Sequence, residues 1–238
     1  MSWVVTAAVT LVMAASAALQ GAVGFGLGML AIPFLVYIDL RFVPGPLLVA
    51  ALTLHFLVLR RDRQGVDASG LALLLSGRLL GTIPAAALLV WLPVEGMKLL
   101  LGSVVLAGAL MGALHTGAPP SRAALFGAGT ASGFMATVAA LGGPPVALLY
   151  QRAPGRRLRG TLAAYFIVGT IVSLGALALV GRFGAQELRL SLFLIPGTVL
   201  GFILSRRAAA YLDTGHTRTA VLAVSALAAG SVIATVLL

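Results

Sequence analysis

The chain has 238 residues, of which 60% are hydrophobic and only 9% are charged, whereas about 25% of the residues of a soluble domain are charged. This composition excludes a soluble globular protein and predicts an integral membrane protein in contact with the lipid bilayer. The net charge of +10 indicates basic cytoplasmic loops rather than a nucleic-acid-binding surface. The chain has no cysteine, which excludes disulfides and thiolate metal sites, and we expect no cofactor and no metal.

The first predicted element is an uncharged run over residues 1–38. As one straight helix it would be about 57 Å long, but a bilayer core is only about 30 Å thick. The run must therefore break, and four glycines between positions 21 and 28, followed by Pro33, mark where helix is weakest. Broken backbone at membrane depth is tolerated only where it is buried in protein or lines a cavity, so this segment is a candidate binding site.

Further apolar segments follow, separated by short polar loops. The predicted spanning helices cover residues 42–59, 68–94, 99–114, 160–181, 190–205 and 219–238. Residues 123–151 form a second uncharged run, of 29 residues, which is again too long for one crossing. Within it, Gly143-Pro144-Pro145 cannot continue a helix, because Pro145 restricts Pro144 and neither proline donates an N–H.

The distribution of basic residues predicts the orientation. If the loop at Arg60 is cytoplasmic and residues 123–151 form a hairpin, eleven basic residues lie inside and four lie outside, as the positive-inside rule expects. The outer four are Arg41, Lys98, Arg182 and Arg189, and Arg78 lies within the membrane. The same reasoning makes residues 1–38 a hairpin and places both termini outside. We interpret Arg152, Arg156, Arg157 and Arg159 as one basic loop.

The two halves share one order of elements, a broken helical hairpin followed by three transmembrane helices. Gly21 and Gly133 are 112 residues apart, and Gly77 and Gly197 are 120 apart. We therefore predict an all-α polytopic membrane protein of two inverted-topology repeats, residues 1–116 and 117–238. Inverted repeats are typical of secondary transporters, whose substrate site lies near the midplane where the broken segments meet.

The candidate site combines the two breaks with polar groups at membrane depth. A helix that begins after a break directs its free N–H groups and positive dipole end at the gap, which suits an anion. We predict that a small anionic substrate contacts Gln20, Gly24, Phe25, Gly26, Gly28, Arg78, Thr137, Gly142, Gly143, Pro144 and Tyr165.

Simpler interpretations stand beside these. Glycines also allow helices to pack closely. Arg78 either snorkels to the cytoplasmic side or faces the cavity, because a buried arginine is costly and therefore a functional candidate. We interpret His55 as an interfacial histidine one turn from the basic loop, and the arginine runs as topology determinants.

The two motifs resemble those of a known family. The first glycine motif of the TauE/SafE sulfite exporter family is similar to Gln20-Gly21-Ala22-Val23-Gly24-Phe25-Gly26-Leu27-Gly28-Met29-Leu30-Ala31-Ile32-Pro33, and its second, in a Gly-Gly-Pro-Pro variant, is similar to Leu141-Gly142-Gly143-Pro144-Pro145-Val146-Ala147-Leu148-Leu149-Tyr150. The resemblance covers essentially the whole chain. It implies export of small sulfur oxyanions or organosulfonates across the inner (cytoplasmic) membrane of a prokaryote.

Other functions stay open beside this one. The sequence has no Gly-x-Ser-x-Gly, no His-Glu-x-x-His and no paired carboxylate, so we do not predict an enzyme, and an intramembrane enzyme is the third hypothesis. The second is a passive channel for small anions. The identity of the anion, its coupling to an ion, and the choice between a monomer and a homodimer are not determined by the sequence.

Overall fold

The structure, a computed structural model, describes residues 3–113, 121–211 and 230, with side chains as far as residue 206 in the second of these ranges. This part of the chain is all-helical, without strands, as predicted. The helices are α1 (Trp3–Val23), α2 (Leu27–Ile38), α3 (Gly45–Asp62), α4 (Leu71–Trp91), α5 (Val94–Ala113), α6 (Arg122–Ala139), α7 (Gly143–Leu149), α8 (Gly155–Leu179) and α9 (Ala185–Tyr211), with 3₁₀ turns at Leu40–Phe42 and Arg63–Gly65.

Five of the described helices are long and apolar enough to cross a membrane: α1, α4, α5, α8 and residues 185–206 of α9. Helix α2 is equally apolar but has only 12 residues, which correspond to about 18 Å of helix. Both predicted breaks are present, between α1 and α2 and between α6 and α7. The polytopic membrane architecture predicted from the composition is thus confirmed, and the predicted span over residues 219–238 lies outside the described residues.

Several predicted boundaries were wrong by a few residues. The predicted basic loop is partly helical, because α8 begins at Gly155 and includes Arg156, Arg157 and Arg159 in its first turns. Arg189 likewise lies within α9 rather than in a loop. The sequence prediction ended spans at charged residues, but the helices continue past the apolar segments into the polar boundary.

Small residues bring α4 and α6 into backbone contact. A Cβ at Gly77 would lie 2.1 Å from the carbonyl oxygen of Phe126, and one at Gly81 would lie 1.9 Å from that of Thr130. The reverse contacts are equally tight, since a Cβ at Gly133 would lie 2.2 Å from the carbonyl oxygen of Arg78. Such spacing of small residues is how helices approach each other within a membrane, so these glycines serve packing.

Helices α1 and α9 make a second contact of this kind. A Cβ at Gly197 would lie 2.5 Å from the carbonyl oxygen of Thr10, and one at Gly201 would lie 2.2 Å from that of Ala14. The first helix of each broken hairpin therefore packs against a long helix from the other half of the chain. The next largest interfaces join α3 to α8 and α3 to α9.

The helix ends lie at two faces of the molecule. At one, which we call the basic face, loop 63–70 meets the start of α8: Arg157 pairs with Asp67, and Arg156 Nη2 donates to Gln64 Oε1 at 2.8 Å. At the opposite face, Arg182 Nη2 donates to the carbonyl oxygen of Val90 at 3.2 Å. Helix α6 begins at the basic face, where Leu125 packs against Gly70. Helices α6 and α7 thus enter and leave at the same face, as a hairpin does.

The two breaks are 116 residues apart rather than 112. Helix α1 ends at Val23 and α6 at Ala139, whereas α2 begins at Leu27 and α7 at Gly143. The offset of 112 residues, taken from matching glycines and prolines, was wrong. The breaks lie at residues with left-handed backbone, and Gly24 and Ala140, which both have positive φ, are 116 residues apart. The division of the chain into repeats at residue 116 stays a prediction.

Candidate functional site

The two breaks meet in the interior of the molecule. A Cβ at Gly28, on the first turn of α2, would lie 2.7 Å from the carbonyl oxygen of Ala140, and one at Gly143 would lie 2.7 Å from the Cβ of Phe25. The chain turns at Gly26, where φ is +117°, and at Ala140, where φ is +54°. An alanine in left-handed backbone costs roughly 1–2 kcal/mol relative to right-handed helix, so the second break holds a strained residue at the point of contact.

A small buried cavity lies at this junction. Its volume is about 20 Å³, which is room for about one water molecule. The lining residues come from α1, α2, α3, α4, α6, α7, α8 and both breaks; they are Gln20, Gly26, Gly28, Met29, Leu48, Ala51, His55, Arg78, Ala136, Ala140, Leu141, Gly142, Gly143, Pro144, Phe166 and Thr170. In this state the cavity is too small for an oxyanion of several heavy atoms.

The structure brings most of the predicted site residues to this cavity, namely Gln20, Gly26, Gly28, Arg78, Gly142, Gly143 and Pro144. Four others lie beside it, and their role in binding stays a prediction. Gly24 packs against Cγ and Cα of Arg159, and Phe25 packs on Gly143. The Thr137 hydroxyl bonds those of Thr82 and Ser173, at 3.3 and 2.8 Å, and Tyr165 lies against Arg78.

Arg78 is buried at the cavity and does not snorkel. Its side chain leaves α4 and is only 1% exposed, with its guanidinium carbon 5.2 Å from the centre of the Tyr165 ring. Nη1 donates to Ser132 Oγ at 3.3 Å, and Ser132 in turn donates to the carbonyl oxygen of Gly142 at 2.7 Å. Nε has no hydrogen-bond partner in the described part of the protein.

Gly169 on α8 makes room for Arg78. A Cβ at Gly169 would lie 1.8 Å from Arg78 Nε and 2.3 Å from Cδ. The cation–π contact with Tyr165 offsets only part of the desolvation of a buried guanidinium. A full positive charge with one unused donor is therefore held at the junction of the breaks.

His55 was wrongly interpreted as interfacial. It is only 6% exposed and lines the cavity, and its ring lies 5.0 Å from that of Phe166. Its Nε2 is 2.8 Å from Gln20 Nε2, and Gln20 Oε1 accepts the Leu27 backbone N–H at 2.9 Å. In the predicted span of residues 42–59, His55 lies in the last turn, next to the polar boundary. In the structure α3 continues past the basic residues to Asp62, so His55 lies deeper in the helix.

Helical spacing groups the cavity residues that the sequence prediction missed onto one face of each helix. Leu48, Ala51 and His55 are separated by three and four residues and share one face of α3. Phe166 and Thr170 are four residues apart on α8. Nothing in the sequence alone shows that these two faces meet.

The helix N-termini contribute less to the site than the sequence suggested. At the start of α2, the Leu27 N–H is already bonded to Gln20. At the start of α7, Pro144 and Pro145 have no N–H to offer. These three positions therefore offer no free N–H to an anion.

Two arginines close the basic face below the first break. Asp62 Oδ2 accepts from Arg61 Nη2 at 2.9 Å and from Arg159 Nε at 3.0 Å, and Asp62 is 4% exposed. The same arginines donate to the last carbonyls of α1, Arg61 to Gly21 at 2.5 Å and Arg159 to Ala22 at 3.2 Å. These arginines join α1, α3 and α8, so they do more than determine topology.

An apolar plug closes the other side. Leu48, Leu89 and Leu177 form a buried cluster against which Met97 and Phe183 pack. Leu48 lines the central cavity, whereas Leu89 and Met97 line a funnel of about 430 Å³ at the opposite face. Arg41, Arg182 and Glu187 also line this funnel.

Helices of membrane-spanning length, two broken helical pairs and a cavity around a buried arginine define an integral membrane protein with an internal polar site. The family model described as Sulfite exporter TauE/SafE matches residues 8–232, and the chain belongs to that family. The family implies a membrane exporter of sulfite or related anions. Neither the search of curated proteins nor that of solved structures found a match.

Proposed function

We propose that the protein is a secondary transporter that exports small oxyanions, sulfite or organosulfonates and related carboxylates, across the cytoplasmic membrane of a prokaryote by alternating access. The substrate binds in the cavity at the two breaks. Family membership supports transport of an anion of this kind.

The observation that carries the proposal is the buried guanidinium of Arg78, with Nε unpartnered among the described residues. A desolvated charge of this kind attracts an ion of opposite sign. Guanidinium also presents a planar arrangement of donors that matches oxyanions. An anion in the cavity would satisfy both the charge and the free donor.

Closure on both sides favours alternating access over a passive channel. The Asp62 ion pairs close the basic face, and the leucine plug separates the cavity from the funnel. A channel conducts through a continuous path, whereas a transporter opens its site to one side at a time. The tight packing of α1 on α9 and of α4 on α6 suits rocking of one of these helix pairs relative to the other.

The test is transport in proteoliposomes with sulfite, sulfate, methanesulfonate and acetate. We expect saturable uptake of one or more anions, and counterflow when the same anion is loaded on the other side. Flux that rises without saturation and shows no counterflow would support the passive channel instead. Chemical conversion of an anion without movement would support an intramembrane enzyme.

A further inference from the structure

The orientation of the Gln20 side-chain amide is determined by its neighbours. The Leu27 backbone N–H can only donate, so the amide atom 2.9 Å from it must be the acceptor Oε1. The donor Nε2 therefore faces His55 Nε2, 2.8 Å away. Because an amide NH₂ has no acceptor capacity, the His55 Nε2 must accept this hydrogen bond.

This contact determines where His55 holds its proton. A neutral imidazole has one donor and one acceptor nitrogen, so an accepting Nε2 places the hydrogen on Nδ1. Nδ1 is buried and has no hydrogen-bond partner among the described residues. The same holds for Arg78 Nε and for the Tyr165 hydroxyl. Two of these three groups, Nδ1–H and Nε–H, can only donate.

We propose that Gln20 is a positioning residue that keeps His55 neutral with its hydrogen on Nδ1, and that Nδ1–H of His55 and Nε–H of Arg78 bind deprotonated oxygens of an oxyanion. This inference rests on the proposed function of the cavity. Charged, deprotonated oxygens accept hydrogen bonds from both donors, and they make stronger bonds than neutral acceptors. Gln20, which the sequence predicts as a substrate contact, then acts through His55.

The same arrangement excludes His55 as the proton carrier of transport. A doubly protonated ring would direct Nε2–H at the Gln20 NH₂, and the amide cannot flip without losing the bond to Leu27. Among the ionisable groups on the packed elements, Arg78 of α4 lines the same cavity, and Tyr165 of α8 packs on Phe166, whose ring also contacts that of His55. Asp62 and Arg159 lie at the basic ends of α3 and α8, and the described charges of α9 lie toward its ends.

The first test reads the tautomer directly. His115 and His216 are replaced by glutamine, so that His55 is the one histidine, and the protein is labelled with isotopic histidine in nanodiscs for nitrogen NMR. We expect the signature of a neutral ring protonated on Nδ1 from about pH 8 down to about pH 5, the range over which free histidine titrates. A ring protonated on Nε2, or an imidazolium within that range, overturns the proposal.

The second test measures binding of methanesulfonate, which stays deprotonated throughout that pH range. The wild-type affinity should not change with pH, and His55→Ala should weaken it roughly tenfold or more, the effect of one hydrogen bond to a charged group. In Gln20→Glu the carboxylate holds a proton on Nε2, so Nδ1 loses its hydrogen as pH rises and affinity should fall. Gln64→Glu at the basic face is the matched control and should keep the pH-independent affinity.

Each result has one interpretation. A wild-type affinity that changes with pH, or a Gln20→Glu affinity that does not, contradicts the assigned role of Gln20. If proteoliposomes move none of the anions while the NMR signature is as expected, the proposed function fails and the hydrogen-bond assignment stands. Transport combined with the wrong tautomer rejects the inference alone.

Discussion

Arg78 illustrates how single residues define the site. It is the one basic side chain among the described residues that lies deep in a span, and Gly169, Ser132 and Tyr165 hold its guanidinium at the cavity. None of these neighbours is negatively charged. The site therefore keeps a net positive charge for a ligand, which a structural ion pair would have cancelled.

Two replacements of Arg78 distinguish the effect of its positive charge from that of its planar arrangement of donors. Arg78→Gln should weaken apparent anion affinity roughly tenfold or more, because a hydrogen bond to a charged group contributes about 1.5–3 kcal/mol. Arg78→Lys should recover part of the loss, since the charge is kept and the planar donor arrangement is lost. Competition binding in nanodiscs measures both variants. Unchanged affinity in Arg78→Gln would mean that the arginine does not contact substrate.

Ala136 offers a probe of the cavity that replaces no glycine or proline of the breaks. Bulky replacements at Gly26 or Gly143 would disturb the backbone, because Gly26 has φ of +117° and Gly143 packs on Phe25. Ala136 lines the cavity and is 2% exposed, whereas Ala123 on the same helix is exposed. Ala136→Leu should abolish transport, and Ala123→Leu should leave it near wild type, in proteoliposomes with matched protein insertion. Normal flux through Ala136→Leu would place the substrate path elsewhere.

Contacts near the helix ends close the cavity on both sides. At the basic face, a single carboxylate joins two arginines from different helices, and those arginines also bond the last carbonyls of α1. At the opposite face, the buried cluster of Leu48, Leu89 and Leu177 lies between the cavity and the funnel. In the proposed alternating access, opening of the basic face separates these charges, whereas opening of the other face repacks the leucines.

Asp62 and Asp67 provide a matched comparison of two ion pairs at the basic face. Asp62→Asn leaves two largely buried arginines without a counter-charge and should lower the free energy of unfolding by about 3 kcal/mol. Asp67→Asn breaks a pair in which the Arg157 side chain is 54% exposed, so its effect should be below about 1 kcal/mol. Chemical unfolding in detergent near neutral pH measures both. Equal effects would mean that the Asp62 network adds nothing beyond a surface pair.

The pH range of that comparison follows from Asp67. Hydrogen bonds from Ser69 and then from Arg157 lower the pKa of the Asp67 carboxyl to about 2, from 3.8. Its contribution to stability is therefore present above about pH 4 and is lost as pH falls toward 2. Near neutral pH, Asp67 is charged, so the Asp67→Asn variant reports loss of the full pair.

At the scale of the whole molecule, the sequence predicted the parts of the fold that depend on length and composition. Spans, breaks and the hairpin of residues 123–151 follow from apolar runs too long for a bilayer and from residues that cannot continue a helix. His55, the plug and the Asp62 network could not be predicted from the sequence, because they depend on which faces of α1, α3, α4 and α8 meet. The predicted register between the halves was also misplaced, since Ala140 adopts a backbone conformation expected of glycine.

Topology is the whole-molecule property that labelling can test most directly. Loops 63–70 and 150–154 share the basic face, and the loop at Gly184 lies at the other. The chain has no cysteine, so single cysteines at Gln64, Gly155 and Gly184 need no cysteine-free background. By the positive-inside rule, those at Gln64 and Gly155 should react with an impermeant maleimide only from the cytoplasmic side, and that at Gly184 only from outside. Labelling of Gln64 and Gly155 from opposite sides would mean that residues 123–151 cross the membrane once, and the two broken hairpins could not then enter from opposite faces.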